Sequence, residues 1–435
     1  MVQKNSGFVP VHERNIVLLV NGVQPKYERA LDKLSRRLGR PLRVIILLDK
    51  GVKEHGLYDK DVEGKYETVV CDFSNEVELH KIVSSFKGKV LLATGIVERN
   101  QLYVQKLLPH IPYTLNPTEV SFDWATNKVL MRQMLEAYDE SLVPRVCEVK
   151  DSTENEISKI TSKLAFPMIV KPAGLAGSVM VTKVENEHEL KTCLDDSFAQ
   201  IKQIYHIVRG RGRPSLIVEE FIEGDMYTID GYVSAEGQVW ILPPLAARTA
   251  YTLGGVGFYE READSFLSIS NQEIIRAQAA AMKAAYALGL RSCAIHVELF
   301  HTKSGWKIIE LGARIGGQRY DIYKAAYGID HAYNELLVKV GLEPDMPTAP
   351  VAYAASFNIC AEQHGTLQSL NGIEEAKRIS TLDHFASYIK PGADCRLMPE
   401  ICQPIYHGVI RADSEEQAAS DRKKLLDTIK LNITI

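Results

Sequence analysis

AIHVELF at 294–300 and WKIIELGAR at 306–314 are two apolar runs, each carrying a glutamate near its end, with only the polar segment 301–305 between them. Apolar runs of this length bounded by turn residues read as buried strands, and a connection holding Ser304-Gly305 is of hairpin length. The pair therefore predicts adjacent antiparallel strands. His296 and Glu298 are two residues apart and share one face of the first strand. Glu310 closes the apolar part of the second and can face Glu298 across the pair. Two facing carboxylates repel unless a cation lies between them. Magnesium is commonly held by one or two carboxylates together with substrate phosphates; the bland alternative is a chance pair of strand glutamates. Directly after Glu310 comes Gly312-Ala313-Arg314-Ile315-Gly316-Gly317, an arginine bracketed by glycines. Such a turn suits a bidentate grip on a phosphoryl group or carboxylate.

Upstream, Lys171 follows the apolar run FPMIV and precedes Pro172. Alone it reads as a strand-end lysine. The small residues Ala173 to Ser178 follow, leading into SVMVTKV at 178–184, which reads as another strand. A strand, a lysine, a glycine loop and a second strand make a phosphate clamp, because glycines let backbone N–H groups approach phosphate oxygens. The strand SLIVEEF then ends in Glu219-Glu220-Phe221-Ile222. Acids there are either a solvated edge or the start of a hinge whose backbone serves a nucleotide base.

From 16 to about 120, continuous apolar strands (IVLLV, LRVIILLD, YETVVCDF, KVLLATG) alternate with helical stretches, the pattern of a parallel sheet covered on both faces. Ligands in such sheets bind beyond the carboxyl ends of strands, which brings forward Asn21-Gly22, Asp49 and the turn at 95–98. Asn116-Pro117 is expected to open one helix running to Tyr138. The region after 223 is strand-rich, with a long alanine-rich helix over 273–289, and the tail begins with the strand VAYAASFNI and ends in a helix and the strand LNITI.

The chain has 435 residues, formal net charge −4 and 24% charged residues, so nothing in its balance calls for nucleic acid. Its longest apolar runs are far short of the ~20 residues that span a bilayer. The charged N-terminus lacks the apolar core of a secretory signal, and the seven cysteines are scattered without a CxxC pair. A reducing cytoplasm is the expected home. Neither GxGxxG after the first strand nor GxxxxGK[ST] occurs, which disfavours a dinucleotide fold and a P-loop.

Taken in order, these motifs resemble ATP-grasp ligases from residue 16 to the C-terminus, and most closely the L-amino acid ligases that make dipeptides. The resemblance implies an α/β ATP-grasp fold: an N-terminal parallel-sheet domain (1–122), an α+β lid with its entry helix (123–222), a central α+β core with the metal site (223–347) and a C-terminal strand-containing subdomain (348–435). It implies that Lys128, in Asn127-Lys128 with Met131-Arg132 following, and Lys171 contact the ATP phosphates. Gly174, Gly177 and Ser178 belong to the mobile glycine loop. Glu219, Glu220, Phe221 and Ile222 form the adenine hinge. Glu298 and Glu310 hold Mg2+, with Mn2+ as a substitute, and Arg314 stands beside the transferred phosphoryl group, sharing the catalytic role with Lys171.

Two positions depart from the family. Met226 stands where a ribose-binding glutamate is common, leaving Asp225 as the substitute. Gly312 replaces the asparagine of Glu-x-Asn-x-Arg, removing a side-chain ligand for a second magnesium.

The implied reaction is carboxylate attack on the γ-phosphate of ATP to give an acyl phosphate and ADP, followed by an amine, making a carbon–nitrogen bond. Expected partners are small-molecule carboxylates and amines, amino acids first, and a second copy of the chain as a homodimer; nucleic acid and membrane are not expected. Substrate candidates are Arg248, His296, Gly316 and Gly317. Arg248 reads equally as a surface arginine and His296 equally as a core histidine. Alternative functions are a carboxylase-like or purine-pathway ligase using bicarbonate, formate or a small amine, and a non-catalytic ATP-binding regulatory protein.

Overall fold

A computed structural model describes residues 9–435 apart from 57, 59, 209–212, 348, 362 and 396–403. The strands Ile16–Val20, Arg43–Asp49, Glu67–Cys71 and Val90–Thr94 form a parallel sheet with the first strand between the second and the fourth. Ile16 to Val20 are all buried because helices cover both faces. Pro25 begins the helix Pro25–Leu38, and Gly39 ends it at φ 65°, a conformation that suits glycine. At the carboxyl ends, Asn21 accepts a hydrogen bond from Asp49 N at 2.8 Å and donates to Asn100 Oδ1 at 3.3 Å.

The expected single helix from 116 to 138 is two helices, Glu119–Thr126 and Lys128–Tyr138. Asn127 between them is extended, and its side chain accepts hydrogen bonds from Val129 N and Leu130 N, capping the second helix. Pro117 lies outside, before the cap Thr118. Lys128 is thereby fixed at the first helical position.

A separate antiparallel sheet is ordered Val146–Val149, Leu216–Glu220, Met168–Pro172, Thr182–Val184, with its own apolar core. The run at 178–184 is a strand only from Thr182. Ser178 and Met180 sit at φ 59° and 58°, which no strand tolerates, so the segment coils over the cleft instead.

A nine-stranded sheet forms the centre. Cys293–Thr302 lies between Asp225–Val233 and Gly305–Gly312, all antiparallel. The sheet continues through Leu245–Thr249, Glu260–Asp264, Tyr353–Ile359, Tyr406–Ala412 and Leu382–Ser387, so strands from both sides of position 348 share it. The run QVWILPPLA breaks at Pro243-Pro244 into Val239–Ile241 and Leu245–Thr249, since proline cannot donate to a ladder. The helix Asn271–Ala287 buries Ala277, Ala280, Ala281 and Ala284, and these short side chains let it pack closely against the sheet. Behind the sheet, Arg422 of the helix Glu415–Thr428 pairs with Asp264 and lies 3.2 Å from Glu262, bracing the C-terminal part against the core.

Candidate active site

The floor of the site is built by register. Glu298 lies directly opposite Glu310 on one side and Thr228 on the other; Phe300 opposes Met226, and His296 opposes Asp230 and Gly312. Because strand side chains alternate, Met226, Thr228 and Asp230 share a face with Phe300, Glu298 and His296. The floor therefore runs from an apolar end, through paired carboxylates, to a buried Asp–His pair. A bulge in the Gly305–Gly312 strand inserts Ile309 beside Glu310. Arg132 takes the carbonyl of Ile309 at 2.6 Å.

Above this floor a cleft with about 880 Å³ of empty space is lined by Lys128, Lys171, Gly177, Ser178, Glu298 and Glu310, by the segment 219–222, and by the apolar Met226, Phe258 and Phe300. Lys128 Nζ donates to Leu175 O at 2.6 Å and stands 3.2 Å from Glu310 Oε2, so the helix Lys128–Tyr138, the glycine loop and the Glu310 carboxylate meet in one cation.

Lys171 is buried, with its Nζ 2.5 Å from Glu219 Oε2, while Arg132 Nε donates to Glu219 Oε1 at 2.7 Å. Burial opposes charge on Glu219, but Arg132 and Lys171 outweigh it and hold the carboxyl down at about 2. Burial, helped by Arg132 and Lys128 against the pull of Glu219, lowers Lys171. The Glu219 carboxylate thus serves as the counter-ion that keeps Lys171 at the cleft wall. Glu220 turns its carboxylate to Arg145, accepting from that residue's N at 3.0 Å and Nε at 2.9 Å. What the segment 219–222 offers a ligand is its backbone and the side chains of Phe221 and Ile222.

The glycine loop is held at both ends. Gly174 N donates to Tyr205 Oη at 2.9 Å, and Ser178 Oγ donates to Phe258 O at 3.1 Å. Phe258 stacks on Tyr251 with ring centroids 5.0 Å apart, and Lys183 reaches Tyr251 Oη at 3.2 Å while lying 4.4 Å over the Phe221 ring. The stretch 178–183 and the glycine-rich segment 250–258 thus meet at the mouth of the cleft.

The remaining candidates lie outside the cleft lining. Arg248 lies 3.0 Å from Glu262 and also pairs with Asp264, the same acids that Arg422 grips. Asp225 is exposed, next to the cleft-lining Met226. Arg314 Nη1 donates to Ile315 O at 3.0 Å. Gly317 is exposed, whereas Gly316 is buried with its N–H donating to Asp230 Oδ2 at 2.9 Å. A Cβ on Gly316 would fall 2.3 Å from His296 Nδ1 and 2.5 Å from Arg319 Cγ. His296 Nδ1 donates to Asp230 Oδ1 at 2.6 Å; burial disfavours its charge, but Asp230 and Glu298 push it up to about 9.

Asp230, Arg319 and the cleft side chains Phe258 and Phe300 escape a reading of motifs. Asp230 carries a signal nonetheless. A carboxylate in the middle of MYTIDGYV, which is otherwise a core strand, requires a partner. Arg319 has Glu260, bound through both guanidinium arms.

No group of three or more His, Cys, Asp or Glu able to cage a metal occurs among the described residues. Glu298 and Glu310 fit a different arrangement: two oxygen ligands on one face, open to the cleft, for an ion completed by phosphate oxygens. The Thr228 hydroxyl, on the strand position opposite Glu298, is buried with no hydrogen-bond partner among the described residues.

Residues 164–321 match the protein family described as an ATP-grasp domain. Across 97% of this chain and all of the other, the fold superposes on that of an L-amino acid ligase from Bacillus licheniformis with a TM-score of 0.77 at 19% identity. It also superposes on the biotin carboxylase domain of a 2-oxoglutarate carboxylase from Hydrogenobacter thermophilus, solved with magnesium ADP and bicarbonate; there the TM-score is 0.67 at 14% identity, over 96% of this chain and 90% of that one. Carnosine synthase 1 of Gallus gallus is 28% identical over 222 residues, 46% of this chain and 22% of that protein. The chain spans 63%, 22% and 29% of the lengths of three curated relatives. The chain has the ATP-grasp fold, and its residues 164–321 carry the ATP-grasp domain. Among its described residues no helix is long and apolar enough to cross a membrane.

Proposed function

We propose that this chain is an ATP-dependent carboxylate–amine ligase that joins amino acids and releases ADP and phosphate. The observation that carries the reading is the placement of Glu298 opposite Glu310 on the floor of a cleft whose walls hold Lys128 and Lys171. In this reading the base lies against the backbone of 219–222 and the phosphates lie at the lysines. The likeness to a structure named an L-amino acid ligase supports amino acids as substrates.

Glu298 and Glu310 would hold magnesium, which offsets the charge of the phosphoryl oxygens when bound. A carboxylate oxygen of the first substrate attacks the γ-phosphorus as the bond to ADP breaks, giving an acyl phosphate. The amine of the second substrate then attacks the acyl carbon; the carbon–oxygen bond to phosphate breaks and the amine gives up a proton. Lys128 and Lys171 place cations beside the phosphates, and Arg314 steadies the anionic groups. The glycine loop and the segment 250–258 keep water from the acyl phosphate. A cytoplasmic location goes with this reading, since Cys71, Cys147 and Cys293 are buried thiols outside any disulfide.

The test is phosphate release measured across pairs of amino acids, with the product identified by mass. Release that requires two amino acids and yields their condensation product supports the proposal. Release stimulated only by bicarbonate or formate would replace it with a carboxylase-like or purine-pathway function.

A further inference from the structure

Asp230 has no exposed surface, yet it is ionic, and both of its oxygens are committed. Burying a carboxylate is costly unless its partners compensate. A strand such as Asp225–Val233 would pack well with an apolar residue at that position. What distinguishes Asp230 is where its two bonds lead. Through Oδ1 it holds His296 Nδ1 at 2.6 Å, and the other nitrogen of that ring lies 3.6 Å from Glu298 Oε1. Through Oδ2 it holds the N–H of Gly316 at 2.9 Å, and Gly316 belongs to the turn that begins at Arg314.

The ring and the turn are also interlocked sterically, since only a residue without Cβ passes His296 at position 316. On the far side, His331 Nε2 lies 3.9 Å from Asp230 Oδ2, beyond hydrogen-bond reach, while His331 Nδ1 lies 2.6 Å from Tyr232 Oη.

We propose that Asp230 and His296 are positioning residues that keep the metal-side carboxylate Glu298 and the Arg314 turn in fixed relation to one another. The proposal rests on the ATP and magnesium reading above and adds residues to it that touch neither nucleotide nor metal. Carboxylates that ligate a metal are usually oriented by such outer hydrogen-bonding groups, whose loss weakens metal binding or activity by about 10–100-fold.

The experiment is calorimetric titration of the full chain with ADP, with and without excess magnesium, on the wild type and on Asp230→Asn, His296→Gln and Glu298→Gln. The quantity read is the gain in ADP affinity that magnesium confers. His296→Gln and Asp230→Asn are expected to cut that gain about tenfold or more while leaving magnesium-free ADP affinity near the wild-type value. A purely structural role would lower melting temperature and weaken both affinities together. If Asp230→Asn does not fold, His296→Gln decides. An unchanged magnesium gain in folded His296→Gln, alongside its loss in Glu298→Gln, overturns this proposal alone. An unchanged gain in Glu298→Gln overturns the magnesium site itself.

Discussion

Glu298 and Glu310 are direct cross-strand partners, with 31% and 27% of their side-chain surfaces exposed. Like charges at opposed positions destabilise a sheet. Lys128, 3.2 Å from Glu310, compensates one of them, and the exposed remainder faces the cleft. Removing either charge while keeping its shape therefore tests chemistry more than folding. Glu298→Gln and Glu310→Gln are expected to reduce ATP turnover about a hundredfold or more, with an unchanged circular dichroism spectrum. Turnover within a few-fold of wild type in either variant would place the phosphate chemistry elsewhere.

The Arg132–Glu219–Lys171 cluster sets a stability expectation. Glu219 is held at about 2 in the folded chain against an ordinary 4.5. A carboxyl with a depressed folded pKa stabilises above its unfolded value, and that contribution disappears as pH falls through the folded one. The melting temperature should therefore lose this contribution between pH 4.5 and about 2. Arg132→Met, which leaves Glu219 with one cation, is expected to cost about 3 kcal/mol at neutral pH and to shrink the acid-side loss. Thermal melts across that pH window would show it; a variant as stable as wild type at neutral pH contradicts the account.

Met226 and Phe300 floor the cleft between the segment 219–222 and the carboxylates, so with the base against 219–222 as proposed, the sugar of a bound nucleotide would meet few acceptors there. Wild-type protein is expected to use ATP and 2′-deoxy-ATP at similar efficiency. Met226→Glu should add a preference for ATP of roughly 3–10-fold, the worth of one hydrogen bond. Competition between the two nucleotides measures it, and strong discrimination by the wild type would point to another ribose contact, with Asp225 the first to mutate.

Gly316→Ala puts a methyl carbon 2.3 Å from His296 Nδ1. The ring and the turn must part, and overpacking of this kind typically costs about 1–3 kcal/mol. Denaturant unfolding should show that loss together with a fall in turnover, since the same turn carries Arg314. Gly317→Ala, with nothing within 4 Å of the added carbon, is the matched control.

Much of the frame is legible in the sequence where one physical cause dominates. Ile16–Val20 and Arg43–Asp49 are apolar on both faces and announce a covered parallel sheet. The hairpin at 293–312 follows from two apolar runs and a short turn. The readings fail where tertiary context decides. Thr182–Val184 is shorter than its run of β-formers because Ser178 and Met180 adopt left-handed backbone over the cleft. Strands such as Gly365–Asn371 and Leu382–Ser387 are half-exposed and mixed in polarity, so no period stands out. His296 looks the same in sequence whether it is core or site; its partner Asp230 is 66 residues away and meets it only through strand pairing. The strand-end glutamates suggest a hinge, and only packing reveals that the side chain of Glu219 belongs to Lys171 and Arg132.

The most direct measurement is the identity of the nucleotide product when the purified chain is given ATP, magnesium and a mixture of amino acids. Chromatographic separation should find ADP and phosphate formed in equal amounts, and in step with an amide product. AMP and pyrophosphate would contradict the acyl-phosphate route at its first step.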